Sequence, residues 1–277
     1  MTRTARTVLL ALDTSTEFCS VALLLDDPAA QPPLHSAPHF QTGDTRVWFR
    51  HEATGAVSST RLLPAVRELL DEAGLALADC NAIAFGAGPG SFTGLRTATG
   101  VAQGLAFGLN VPVVPVSTLL ACAEAARLTD SSLPPRVLAA LDARMDEVYW
   151  ADYEYRSDAA DADADWRVVH PASLDAPAAL PLPDAPFALV GNAAAAFGDQ
   201  LPALAAAARV DSEALPHALP VALLGLRALR GGRAVAPELA APDYVRNKVA
   251  QTTAERMEAR AAAGKGSADA APEEALR

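Results

Sequence analysis

Cysteine is scarce in this chain of 277 residues: Cys19, Cys80 and Cys122 form an odd, widely spaced set without C-x-x-C pairs. That excludes a disulfide framework or a zinc ribbon and points to a reduced, cytoplasmic protein with buried thiols. Histidine is nearly as sparse. Only His35 and His39 stand at H-x-x-x-H spacing, and Pro38 between them removes the shared helical face a metal would need. Positive charge is also in deficit, with 22 Lys plus Arg against 33 Asp plus Glu and a formal charge of −11. An unaided grip on a polyanion is therefore excluded, and nucleic acid would be reached only with a partner that supplies a basic groove. No apolar run approaches a membrane span, and Val8 to Leu12 stops at Asp13, too short for a signal sequence. Gly-x-Ser-x-Gly is missing, and Ser91 has no evident histidine partner, which argues against a serine hydrolase.

What the chain does have is glycine in one place. Phe85 to Leu109 reads FGAGPGSFTGLRTATGVAQGLAFGL, a turn punctuated by Gly86, Gly88 and Gly90 that opens a helix capped by Ser91 or Thr93. No Lys-Ser/Thr pair follows, so it is not a Walker A loop, and the G-x-G-x-x-G spacing of a dinucleotide fold is absent. Two readings remain at this point: anion binding at the helix start, or close packing of the helix. Along the helix, Arg96, Gly100, Gly104 and Gly108 recur every fourth residue. Each such glycine costs roughly 1 kcal/mol against alanine, so something should pack closely on that stripe.

The rest of the chain alternates strand and helix signals. Val8 to Asp13 and Cys19 to Leu25 form a hairpin, 26–45 is a proline-rich insertion, and Arg46 to Glu52 is a third strand. From Ser58 or Ser59 a helical period places Leu62, Leu63, Val66, Leu69, Leu70 and Ala73 on one stripe that Gly74 ends. Ala82 to Phe85 and Val113 to Ser117 are short strands, the latter near a sheet edge because of Pro115, and Leu119 to Arg127 is a helix. Beyond the hinge at Ser131 to Pro135, VLAALDARMDEVYWA repeats the pattern of VLLALDTSTEFCSVA: a strand ending in Asp, a turn, and a second strand. The fold class that follows is α/β, with two related domains that each open on a β-hairpin. They span 1–130 and 136–215, followed by a C-terminal helix and extended segment over 216–250 and a disordered tail over 251–277.

Asp13 and Asp142 end the two equivalent strands, where they can either face a metal–phosphate from opposite sides of a cleft or simply close their turns. Thr14, Ser15 and Thr16 add hydroxyl donors beside Asp13, whereas the turn after Asp142 has none.

The glycine-loop helix, with ALDTSTEFCSVAL, LDARMDEVYWADY and PDYVRNKVA, resembles the bacterial TsaB (YeaZ) family, in order from Val8 to about Val249. The resemblance implies an actin-like, Hsp70-like (ASKHA) fold. It also implies a non-catalytic subunit of the machinery that makes N6-threonylcarbamoyladenosine in tRNA, one that dimerises with the transferase TsaD and helps recruit the ATPase TsaE. TsaD carries metal-binding histidines after the strand that follows this helix, and here Val116-Ser117-Thr118-Leu119 has none. Relatives often carry histidine where this chain has Ser58. The implied partner interface uses Leu62, Leu63, Val66, Leu69, Arg96, Gly100, Gly104 and Gly108. A vestigial phosphate-binding set would comprise Asp13, Thr14, Ser15, Thr16, Gly88, Gly90, Ser91, Asp142 and Gly191. No cofactor of its own is expected, only ATP/Mg at a composite site with partners. tRNA is met only through the complex, no membrane is involved, and a homodimer forms when the chain is alone. The competing expectations are an ATP-dependent phosphotransferase or metal-dependent transferase using Asp13 and Asp142, and a homodimeric regulatory binding protein.

Overall fold

The computed structural model describes residues 6–29, 36–156 and 165–246. The tail beyond 246, His35 and most of the acidic loop before Asp165 lie outside the described residues.

The first half builds a six-stranded sheet. β1 (Thr7–Asp13) and β2 (Phe18–Asp26) pair antiparallel with Asp13 opposite Ser20, and β3 (Phe40–Thr42) and β4 (Thr45–Ala53) extend the antiparallel side. After α1 (Ser58–Ala73), β5 (Ala82–Gly88) pairs parallel with β1; after α2 (Phe92–Leu109), β6 (Val113–Ser117) pairs parallel with β5, and α3 (Thr118–Thr129) leaves the sheet. The order is β3-β4-β2-β1-β5-β6. β1 and β2 are apolar at nearly every position rather than alternating, because helices cover both faces of this sheet.

The second half repeats the plan with less material. β7 (Arg136–Asp142), β8 (Val148–Arg156) and β9 (Asp165–Asp175) are antiparallel. β10 (Phe187–Val190) then adds parallel to β7 and, after the short helices α4 (Ala193–Phe197) and α5 (Pro202–Ala206), β11 (Arg209–Asp211) adds parallel to β10. The order β9-β8-β7-β10-β11 matches β4-β2-β1-β5-β6 strand for strand. The repeated hairpin read in the sequence is thus the visible part of a duplicated lobe.

α6 (Ala218–Arg230) crosses back: it packs on β1, β2 and β5 of the first sheet, and α3 packs on β7 and β8 of the second. A Cβ on Gly225 would lie 2.7 Å from the Cβ of Ala84, so this helix reaches the sheet backbone only because residue 225 is glycine. Between the lobes, the buried Glu124 carboxylate of α3 accepts hydrogen bonds from Trp166 Nε1 at 2.7 Å and Arg227 Nη2 at 2.6 Å. An ion pair from Arg227 and a neutral hydrogen bond from Trp166 together offset the desolvation of this carboxylate, and removal of Arg227 would leave its charge buried without a counter-charge at this contact. Arg230 likewise pairs with the buried Asp26.

On the other face of the first sheet lie α1 and α2. Pro64 sits inside α1 without ending it, and Gly74, at φ 67°, closes the helix by donating its N–H to the carbonyls of Leu70 and Asp71. Leu62, Val66, Leu69, Leu70 and Ala73 are buried beneath α1, and Leu63 is half exposed.

Candidate functional site

The glycine loop and the β1–β2 turn form one interlocked unit. Asp13, at the end of β1, is buried, and its Oδ1 accepts from the Ser15 backbone N–H at 3.1 Å and the Ser15 hydroxyl at 2.9 Å. Its Oδ2 has no hydrogen-bond partner among the described residues, and burial pushes the carboxyl up to about 6 although the Ser15 bonds pull the other way. The turn then runs under the start of α2: Ser91 N–H donates to the Ser15 carbonyl at 2.7 Å, and the Thr14 hydroxyl donates to the Gly94 carbonyl at 2.7 Å. Ser91 also caps α2 by accepting from Gly94 N–H at 3.3 Å. Thr118 donates its hydroxyl to the Pro89 carbonyl from below.

Close approach explains the glycines. A Cβ on Gly94 would lie 1.7 Å from the Thr14 carbonyl oxygen, and one on Gly90 would lie 2.6 Å from that of Ser15. Gly86 faces Asp13 Oδ2 in the same way. The N-cap amide, that of Ser91, is given to the chain's own turn. It is therefore engaged inside the chain, and Gly90 and Gly94 face the carbonyls of the β1–β2 turn. Thr16 is used locally, its hydroxyl accepting from Phe18 N–H at 3.3 Å.

A strap closes the outer side. Val235 bridges to Val113, Gln103 Nε2 donates to the Pro237 carbonyl at 2.9 Å, and Asp243 N–H donates to the Ala87 carbonyl at 2.7 Å. Gly88 has φ 129°, and a Cβ there would meet the Asp243 carbonyl oxygen at 2.5 Å. Tyr244 then accepts from Arg96 Nε at 2.9 Å.

The second lobe keeps the topology and changes the chemistry. Asp142 accepts from Arg144 N–H at 2.8 Å and pairs with Arg144 Nη1 at 3.0 Å, while its own N–H donates to Asn192 Oδ1 at 2.9 Å. Arg144, Met145 and Asp146 all have positive φ, and Met145 stands in solvent. Gly191 packs where a Cβ would be 2.3 Å from the Ala140 carbonyl oxygen. Asp142 and Gly191 thus serve their own turn and strand crossing.

The residues expected at a partner interface separate into two groups. Leu62, Val66 and Leu69 lie in the chain's own core, because α1 needs that stripe to sit on the sheet, so they are not a surface for another chain. Leu63, Arg96, Gly100, Gly104 and Gly108 are exposed. A Cβ added at any of the three glycines meets nothing within 4 Å among the described residues, and Phe107 beside them is 57 % exposed. The close packing that the stripe calls for is not supplied by the described chain. Gly94, Thr118, Asp243 and Tyr244 are not singled out as site residues from sequence; Gly86 is named among the loop glycines and Gly94 lies in the same run, but their contacts depend on a turn some 80 residues away.

No group of three His, Cys, Asp or Glu side chains among the described residues is placed to hold a metal ion, and no described helix is long and apolar enough to cross a membrane.

Two lobes of one duplicated plan, each with a β-hairpin facing a strand-to-helix crossing, place the chain in the actin-like (ASKHA) class. Residues 52–254 match the family profile of TsaD, tRNA N6-adenosine threonylcarbamoyltransferase. The tRNA threonylcarbamoyladenosine biosynthesis protein TsaB of Escherichia coli (strain K12) is 35 % identical over 248 residues, covering 87 % of this chain and 96 % of that one. Its counterpart in Haemophilus influenzae is 45 % identical over 143 residues, 52 % of each chain. The solved structure of YeaZ from Pseudomonas aeruginosa superimposes with a TM-score of 0.72 at 38 % identity, over 86 % of this chain and 99 % of that one. The chain belongs to the TsaB (YeaZ) family, whose named members are proteins of tRNA threonylcarbamoyladenosine biosynthesis.

Proposed function

We propose that this chain is a non-catalytic scaffold subunit of that pathway, which docks the transferase TsaD through the outer face of α2 and helps recruit the ATPase TsaE. The observation that carries the reading is the glycine ridge. Gly100, Gly104 and Gly108 keep three helix positions bare toward open space, at a cost of roughly 1 kcal/mol each, and nothing in the described chain recovers that cost. A bare ridge lets a second helix approach at the short end of the usual interaxial range, and the exposed Phe107 on the same helix adds apolar surface beside it. The acidic balance of the chain fits tRNA contact through the partner rather than directly. ATP and Mg enter this reading only at a composite site formed with the partners.

The phosphotransferase reading would use amides at the start of α2, of which the Ser91 N–H is already donated to Ser15 and the Gly94 N–H to Ser91 Oγ. Calorimetric titration with Mg–ATP checks this: saturable binding below about 1 mM, roughly 4 kcal/mol, would revive it. The docking reading is tested by light scattering of the chain, of TsaD from the same organism, and of their mixture. A mixture that remains two separate species contradicts it, and a stable self-dimer that excludes TsaD would support the regulatory homodimer instead.

A further inference from the structure

The glycine ridge ends, at its N-terminal side, in a small built cluster. Arg96 stands one turn beyond Phe92 on α2, and its guanidinium carbon lies 3.7 Å from the Phe92 ring centroid. Tyr244 of the strap completes the cluster, with its ring centroid 5.7 Å from that of Phe92 and its hydroxyl accepting from Arg96 Nε at 2.9 Å. Both rings are more than a third exposed. The strap itself is pinned on either side of the cluster by Asp243 N–H to the Ala87 carbonyl and by Gln103 to the Pro237 carbonyl. Arg96 has no carboxylate partner among the described residues, although the chain carries 11 more acidic than basic groups.

An exposed arginine in an acidic protein ordinarily finds a nearby carboxylate. Here a stacked ring and a hydroxyl hold the side chain instead. The hydroxyl takes only Nε–H, which leaves the terminal N–H groups of the planar fork available for bidentate recognition. Holding the long side chain in place before binding removes part of the entropy that docking would otherwise cost.

We propose that Arg96 is the specificity anchor of the α2 face, receiving an Asp or Glu carboxylate of a partner helix laid along the glycine ridge. Tyr244 is its positioning residue. The inference rests on the docking reading above and deepens it: the C-terminal strap, though remote in sequence, completes the recognition surface. A guanidinium stacked on one ring and held by the hydroxyl of another, at the end of a bare ridge, is the composition and placement of an interface hot spot.

The test is binding of the full-length chain to TsaD from the same organism, at low and high salt, for wild type, Arg96→Gln, Arg96→Lys, Tyr244→Phe and the Arg96→Gln/Tyr244→Phe double variant. Thermal melts of each show that the fold is retained. Arg96→Gln should weaken binding about 10-fold or more and flatten its salt dependence, and Arg96→Lys should not restore it because an ammonium lacks the fork. Tyr244→Phe, which keeps the ring, should weaken binding a few-fold, and the double variant should be no weaker than Arg96→Gln alone. If Arg96→Gln binds like wild type while Gly104→Leu does not, the anchor is wrong and the docking face stands. Additive losses in the double variant overturn the positioning role of Tyr244, and a wild type that fails to bind TsaD overturns both readings.

Discussion

The two β-hairpin turns began as the same device and now differ in almost every contact. In the first lobe the Asp13 turn is buried under α2, its carbonyls pressed against Gly90 and Gly94. In the second, the turn after Asp142 closes on itself through Arg144 and stands in solvent, with three consecutive residues at positive φ. The elements that follow differ in proportion: an 18-residue helix follows β5, and a five-residue helix follows β10. A long helix with a bare outer face has to be rigidly seated before it can serve as a docking surface, and the buried turn is what seats it. The second lobe has no such helix to hold, so its turn is free to drift. The comparison teaches that the glycine loop serves in this chain as a mounting for α2, locked to the β1–β2 turn by its own backbone.

Substitutions at two glycines of the same helix should break that comparison most visibly. Gly94→Ala drives a Cβ to 1.7 Å from a backbone oxygen that cannot move without lifting the β1–β2 turn. We expect a loss of at least about 3 kcal/mol in urea unfolding, or failure to fold. Gly104→Ala, in the middle of the exposed ridge, meets open space and should gain about 1 kcal/mol through helix propensity.

The next effect is on pH dependence, where Asp13 is opposed by a group two strands away across the Asp13–Ser20–His51 register. His217, which precedes α6, lies near His51 with ring centroids 5.1 Å apart, and burial lowers it to about 4. Around this pair stand the Phe18 and Phe49 rings, the Ser20 hydroxyl that accepts from Ala218 N–H, and the Glu17 carboxylate, which raises His51 against the lowering by burial. A histidine with a depressed folded pKa contributes stability above its unfolded value of 6.5, and the contribution is lost as pH falls through 4. Asp13, raised from 3.8 to about 6, does the reverse: its contribution is present below 3.8 and lost as pH rises through 6. Each shift is of the order of 3 kcal/mol and the slopes oppose one another between pH 4 and 6. Stability of Asp13→Asn, measured by urea unfolding across that window, should therefore rise more steeply with pH than that of the wild type, the gap between the two curves changing by about 3 kcal/mol. A parallel pair of curves would mean that Asp13 is not the buried, unpaired acid described.

A smaller change sharpens the other side. Met145→Gly in the second turn removes a side chain from a residue at φ 60° and should stabilise by about 1 kcal/mol in thermal melts, with TsaD binding unchanged.

Much of this architecture was legible in the residues. The hairpins, the helical stripe of α1 and the repeat from ALD to ALD follow from period and spacing. Burial at Leu62, Val66 and Leu69 was open to two interpretations, because a stripe of leucines looks the same whether it faces its own sheet or another chain. The glycine loop was legible as a place of close approach, but what approaches it was not: the Thr14 and Ser15 carbonyls and the Asp243 strap come from distant parts of the chain. The same holds for α6, whose crossing back to the first sheet depends on Gly225 facing Ala84. Local signals are readable where the interaction is local, and the site here is almost wholly long-range.

The central claim, that the bare ridge of α2 is kept bare for a partner, is met most directly by Gly104→Leu. The account expects the variant to melt at a higher temperature than the wild type, by the gain of roughly 0.8 kcal/mol from leucine over glycine in a helix, and to lose its complex with TsaD in light scattering. A variant that still forms the complex with unchanged affinity would contradict it.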